Sequence, residues 1–212
     1  MSATIETTPK PRRVDAVGEP ASPWGRVHRL SVEQYHAMIA AGILVHGDPI
    51  ELLDGLLVTK MTRHPPHVVA ASLLFAAFYR ALPAGWHACK EDPITLPPAS
   101  EPEPDLTVVR GEIRDYAVRN PGPADVALVV EVSDSTLAFD RGFKLRLYAR
   151  AGLPVYWILD VVEGVVEVHT DPTGPAPEPS YRRREVVGRD GELTLDLGGP
   201  GPVRLAVRDL LP

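Results

Sequence analysis

Apolar residues recur along this chain with two different periods, and the places where the period switches mark out its elements. VEQYHAMIAA, preceded by Ser31 and followed by Gly42, reads as a short helix with a serine N-cap and a glycine stop. IELLDGLLVTKM holds two short apolar runs around Asp54-Gly55, a dipeptide that favours a tight hairpin turn. PHVVAASLLFAAFYRAL is long, rich in alanine and apolar around most of its circumference, which predicts a buried helix. Three strand candidates follow: WHACKEDPITL, DLTVVRG and ADVALVVEVS.

An amphipathic helix is expected from about Phe139 to Ala151, ending at Gly152, and the strand VYWILDV comes next. VVEVHT is expected to pair with that strand through a turn at Glu163-Gly164. YRRREVVGRDGELTLDL reads as a further hairpin and VRLAVRDLL as a short terminal helix. The core order is therefore helix, three strands, helix, strand. The last two strands are joined by a crossover helix, which makes them parallel neighbours. The fold class is α/β (α+β), a mixed sheet with helices packed on it and additional hairpins toward the N- and C-terminal ends.

Composition alters this picture at the edges. Residues 1–23 are polar and proline-containing and read as a flexible arm, leaving residues 24–212 as a single domain. The 23 prolines fall mainly in that arm, in DPITLPPASEPEPD and in TDPTGPAPEPS, so they punctuate loops rather than break elements. A single cysteine, Cys89, rules out an internal disulfide and fits a reducing compartment. No apolar run reaches the roughly 18 residues that span a bilayer, and no signal-peptide pattern opens the chain. A cytoplasmic protein without membrane partners is expected. The net charge of −6 argues against a broadly basic nucleic-acid surface, although a metal-dependent nuclease site is itself a cluster of acids.

The candidate chemistry centres on a carboxylate in the wrong place. Glu131 interrupts ALVVEV near the C-terminal end of an apolar strand, where a charge is costly unless paired or metal-bound. Such strand ends are also where open α/β sheets form ligand sites. Asp105 opens the strand LTVV and reads either as a polar strand entry or as a second acid beside Glu131. Two such carboxylates, with the backbone carbonyl of Val132, suit Mg²⁺ or Mn²⁺, which take hard oxygen ligands and keep waters or substrate phosphate in the remaining positions. Lys144 is one of four lysines against eighteen arginines. With Asp140 and Tyr148 it shares one helical face by i, i+4 spacing. That pattern fits a surface pair with Asp140 or an ammonium reaching back to the metal site. Glu51 is either a hairpin residue paired with Lys60 or an extra acid, and His67 is either a helix-start packing residue or a site residue. A zinc site of His64, His67 and Cys89 is a further alternative, though HPPH lacks standard ligand spacing. Asp160 reads as a turn starter, Tyr156-Trp157 as core, and Arg182-Arg183-Arg184 as solvated charge on an edge strand. No glycine-rich phosphate motif is present.

Taken in order, Glu51 in IELLDG, His67 after MTRHPP, then PDLTVV, VVEVSDST, DRGFKLRLYARAG and PVYWILD resemble the Uma-two family of restriction-endonuclease-like proteins. That family falls within the PD-(D/E)xK nuclease superfamily. The resemblance spans about Ser31 to Asp171. It implies the αβββαβ restriction-endonuclease core, Asp105 and Glu131 as metal ligands, and Mg²⁺-dependent hydrolysis of DNA phosphodiesters, with His67 approaching the scissile phosphate and Glu51 as an accessory acid. The usual signature has a lysine two residues after the second acid. Here that position is Ser133, and Lys144 on the following helix takes the role. By analogy a homodimer is expected, since two strands need two sites. The other reading is a catalytically inactive module that keeps the nuclease fold for binding or assembly.

Overall fold

The computed structural model describes residues 27–45, 47–199 and 201–212; the expected N-terminal arm lies outside them. Six strands form one sheet in the order β3 (Trp86–Cys89), β4 (Leu106–Arg110), β5 (Val126–Ser133), β6 (Val155–Asp160), β7 (Val165–Pro172) and β8 (Tyr181–Val187). All neighbours are antiparallel except β5 and β6. That one parallel pair is required by the helical crossover between them, which consists of α3 (Leu137–Phe139), a π turn (Asp140–Lys144) and α4 (Leu145–Arg150). The mixed sheet with helices matches the fold expected from the hydrophobic pattern.

Strand alternation sorts the core into two layers. Leu128, Val130, Val132, Trp157 and Leu159 pack with Ala70, Ala71, Leu74 and Phe78 of α2 (Pro65–Ala81) on one face. Val129, Tyr156 and Ile158 pack with Leu147, Tyr148 and Leu153 on the other. The expected burial of α2 is met along one face only. Its buried residues, 67, 70, 71, 74 and 78, form one stripe, while Val68, Val69 and Tyr79 are exposed. Alanine and valine on the outer face disguise an ordinary amphipathic helix.

The hairpin β1 (Ile50–Leu53) and β2 (Leu56–Thr59) turns at Asp54-Gly55, both with positive φ, as a two-residue type I′ turn requires. It lies over the second layer, where Leu53 enters the core, while Leu52 faces α1 (Val32–Ala40). Ser31 caps α1 in a reciprocal capping box with Gln34, an arrangement worth about 1 kcal/mol.

The C-terminal pairing differs from the sequence reading. The strand at 181–187 joins β7 as the sheet edge, and β9 (Glu192–Leu195) pairs instead with β10 (Val203–Ala206). The expected terminal helix is reduced to one 3₁₀ turn, Val207–Leu210, after β10. Leu193, Leu195, Val203, Leu205, Val207 and Leu210 cover the first layer beside α2, so tertiary burial decides which partner β9 takes. Among the described residues no helix is long and apolar enough to cross a membrane.

Candidate active site

Glu131 occupies the same face of β5 as Val129, beneath the crossover helix, and is 7 % exposed. The strand period sends it there, between the valines that fill the opposite layer. Tyr148 Oη donates to its Oε1 at 2.5 Å and Lys144 Nζ lies 3.2 Å from the same oxygen. Lys144 Nζ also donates to Glu51 Oε2 at 3.2 Å. Glu51 reaches it because β1 alternation places Glu51 with Leu53 on the inward side of the hairpin. Glu51 is held in turn by the backbone N–H of Glu103 at 3.1 Å. Lys144 is therefore a buried side chain between two acids, and Asp140 is buried with it. The surface Asp140–Lys144 pair allowed by the sequence does not form; Asp140 Oδ2 accepts from Thr136 Oγ1 at 2.6 Å.

The π turn brings Lys144 into place. The N–H of Leu145 bonds back to Asp140, five residues earlier, so the helix widens here, and Tyr156 Oη donates to the same Asp140 carbonyl at 3.2 Å. Ser133, where the usual signature would carry lysine, is buried with its hydroxyl 3.3 Å from Thr136 Oγ1. Two hydroxyls, Ser133 and Thr136, thus lead from the usual lysine position to the Asp140 carboxylate, and the ammonium arrives from the helix instead.

Asp105, 6 % exposed, sits at the entry to β4. Its Oδ2 accepts from the backbone N–H of Val132 at 2.8 Å and lies 3.1 Å from His67 Nε2, one turn into α2. His67 Nδ1 is buried without a partner. Asp105, Glu131, Lys144, Glu51, His67 and Val132 all line one cavity of about 80 Å³. The structure brings together every candidate site residue named from the sequence, apart from the zinc alternative. His64 pairs with Asp134, His67 with Asp105, Cys89 lies on β3, and among the described residues no three His, Cys, Asp or Glu side chains converge on a metal-sized site. Glu51 meets Lys144 rather than Lys60, which pairs with Glu103.

With this geometry in place, a family model for Uma2, described as "Putative restriction endonuclease", matches residues 32–208. The chain belongs to the Uma2 family. A solved structure, titled as a putative nuclease belonging to DUF820 from Anabaena variabilis ATCC 29413, is similar at a TM-score of 0.61. The likeness covers 85 % of this chain and 97 % of that one at 17 % identity, and so speaks to the fold. No curated protein matches.

Electrostatics bear on what this Uma2 cavity accepts. Burial pushes the Glu131 carboxyl up to about 8; Lys144 opposes the rise, and Asp105 and Asp140 add to it. Burial likewise raises Asp140 to about 6, against the Thr136 hydrogen bond. Burial alone would lower the Lys144 ammonium and the His67 imidazolium, but their acidic partners hold both above their ordinary values. Lys144 and His67 thus answer four acids, Glu51, Asp105, Glu131 and Asp140. Asp105 Oδ1 and Glu131 Oε2 accept no hydrogen bond among the described residues. Two hard oxygens in an under-compensated acidic cavity fit a divalent cation such as Mg²⁺, which needs only one or two carboxylates when waters and phosphate complete its shell.

The sequence reading missed several residues of this Uma2 site. Tyr148, placed by spacing only on the helical face of Lys144, donates to Glu131. Thr136 and Phe139 line the cavity, and Asp134 closes one wall. The hydroxyl and acid run S-D-S-T that ends β5 was the available signal for Thr136 and Asp134. Asp160 does start a turn, accepting from the N–H groups of Val162 and Glu163 at 3.1 Å each.

Proposed function

We propose that the protein is a divalent-metal-dependent endonuclease hydrolysing DNA phosphodiester bonds. The observation that carries this reading is the convergence of Asp105, Glu131 and Lys144 on one cavity, with an unengaged oxygen on each carboxylate. Asp105 and Glu131 would hold Mg²⁺ or Mn²⁺, with the Val132 carbonyl beside them. When bound, the cation supplies Lewis acidity toward a phosphoryl oxygen and makes water a better nucleophile.

The chain's own residues do the rest. Lys144, fixed by Glu51, offers its ammonium to the attacking water and to charge developing on the phosphate. Glu51 orients that ammonium, and the Glu103 N–H orients Glu51. Tyr148 fixes the Glu131 carboxylate, while Val132 N–H and His67 fix Asp105, so both acids are positioned before substrate arrives. His67 presents its imidazole beside the same space. Where the substrate is a duplex, one copy per strand makes a homodimer part of this reading.

The test is cleavage of DNA by the purified chain with Mg²⁺ or Mn²⁺ against EDTA. Metal-dependent cleavage that falls at least about 10³-fold in D105N and E131Q is expected. Cleavage that survives D105A and E131A overturns the assignment. A second reading, a nuclease-fold binding module, draws on the ammonium being tied up by both Glu51 and Glu131. Calorimetry that finds no Mg²⁺ or Mn²⁺ binding supports that one instead.

A further inference from the structure

The mouth of the cavity carries one side chain to which hydrolysis assigns no role. Phe139 lines the same cavity as Asp105, Glu131 and Lys144, yet it is 38 % exposed while those three are more than nine-tenths buried. Its ring stacks on Phe143 with centroids 5.3 Å apart and planes 4° from parallel. Phe143 in turn packs against the core layer containing Leu147 and Tyr148, so the exposed ring is braced from behind. An aromatic ring held flat and partly in water beside a phosphate-sized recess is the arrangement by which proteins take a nucleobase.

The opposite wall offers little to a phosphate backbone. Lys60 and Arg63 line both this cavity and a neighbouring one of about 630 Å³. Both are already paired, Lys60 with Glu103 and Arg63 with Glu91. With a net charge of −6, the chain gains little from the counterion release that drives duplex binding. The cavity over the carboxylates has room for about two or three waters. A phosphate on a stiff, continuous duplex does not enter so small a recess without deforming the duplex. A phosphate on a strand whose neighbouring base is unstacked does.

We infer, on the basis of the nuclease reading, that Phe139 is a stacking platform for the base beside the scissile phosphate, and that the preferred substrate is single-stranded or locally unpaired DNA. The test is fluorescence anisotropy in EDTA, with the full chain and one labelled oligonucleotide presented as a single strand or as a duplex. The single strand is expected to bind more tightly. F139A and F139L weaken it about tenfold, as loss of one stacked base does. They leave duplex binding within about twofold, and F139W restores the single-strand affinity. The Mn²⁺-induced rise in melting temperature stays at the parent value in all three variants, which separates a lost platform from a lost fold.

Single-strand affinity that ignores F139A and F139L, a duplex bound as tightly as the single strand, or no binding of either form overturns the proposal. Cleavage is read separately. A parent that holds single strands through Phe139 but cuts nothing sinks the hydrolysis and leaves the platform; a parent that cuts with Mg²⁺ while F139A binds unchanged does the reverse.

Discussion

The tetrapeptide VVEV occurs twice, at 129–132 and at 165–168, and its two glutamates meet opposite fates. Glu131 and Glu167 face the same side of the sheet in one cross-strand row, with Ile158 between them as the register partner of both. Two strand spacings, about 10 Å, separate their backbones. Both are buried. At Glu167 burial raises the carboxyl, but hydrogen bonds from Arg184 and Arg141 more than reverse this and bring it down to about 2. At Glu131 burial wins and the carboxyl rises to about 8.

The difference lies in who shares the charge. Glu167 takes Arg184 Nε at 3.0 Å and Arg141 Nε at 2.7 Å, with His169 Nε2 at 3.2 Å beside them, and no second acid competes. Glu131 shares one ammonium with Glu51 in the company of Asp105 and Asp140. Identical local sequence yields a closed structural ion pair in one case and an unfinished one in the other. The unfinished one faces the cavity.

Four measurements break or sharpen this contrast. The largest effect is expected from K144M, which strips the ammonium shared by Glu51 and Glu131 and costs about 3–5 kcal/mol in urea unfolding at neutral pH. Next is cation binding. Mn²⁺ at a hundredfold excess over its Kd stabilises the parent by about 2.7 kcal/mol in thermal melts. E167Q keeps that response, whereas D105N and E131Q lose it; a response surviving in both of the latter places the cation elsewhere.

E167Q itself comes third. A folded value near 2 against an ordinary 4.5 corresponds to roughly 3 kcal/mol, of which screening around the half-exposed guanidiniums leaves roughly 2. Because the folded value is depressed, this stability is complete above pH 4.5 and disappears as pH falls toward 2. Parent and E167Q unfolding curves should therefore converge over that acid window; a constant gap means the carboxylate charge is not what Glu167 contributes. Smallest is R184A, roughly 1 kcal/mol, since Arg141 remains in place.

Much of the fold was legible because its cues are local. Asp54-Gly55 fixes its hairpin whatever surrounds it, and Ser31 announces the start of α1, where the structure adds the reciprocal bond from Gln34. Glu131 stood out because the strand around it is otherwise apolar. Glu167 stood in the same four letters and was passed over, since nothing within VVEVHT reports the guanidiniums that arrive from Arg141 and Arg184. The partner of β9 was misassigned for a related reason: turn residues say where a chain reverses, while burial against α2 decides which strand it then meets. The helix after Glu131 was expected to be regular, because i, i+4 spacing looks the same whether or not one turn is wide.

That wide turn also governs how the protein can change over generations. Losing a single codon within DRGFK would close the turn into ordinary α-helix, rotating one side of the break against the other by about 100°. Leu147, Tyr148 and Ala149 would keep their places in the core. Asp140 and Lys144 would no longer meet in the cavity. One in-frame deletion would thus spare the apolar packing of α4 while taking from the buried acids Glu51 and Glu131 the ammonium they share.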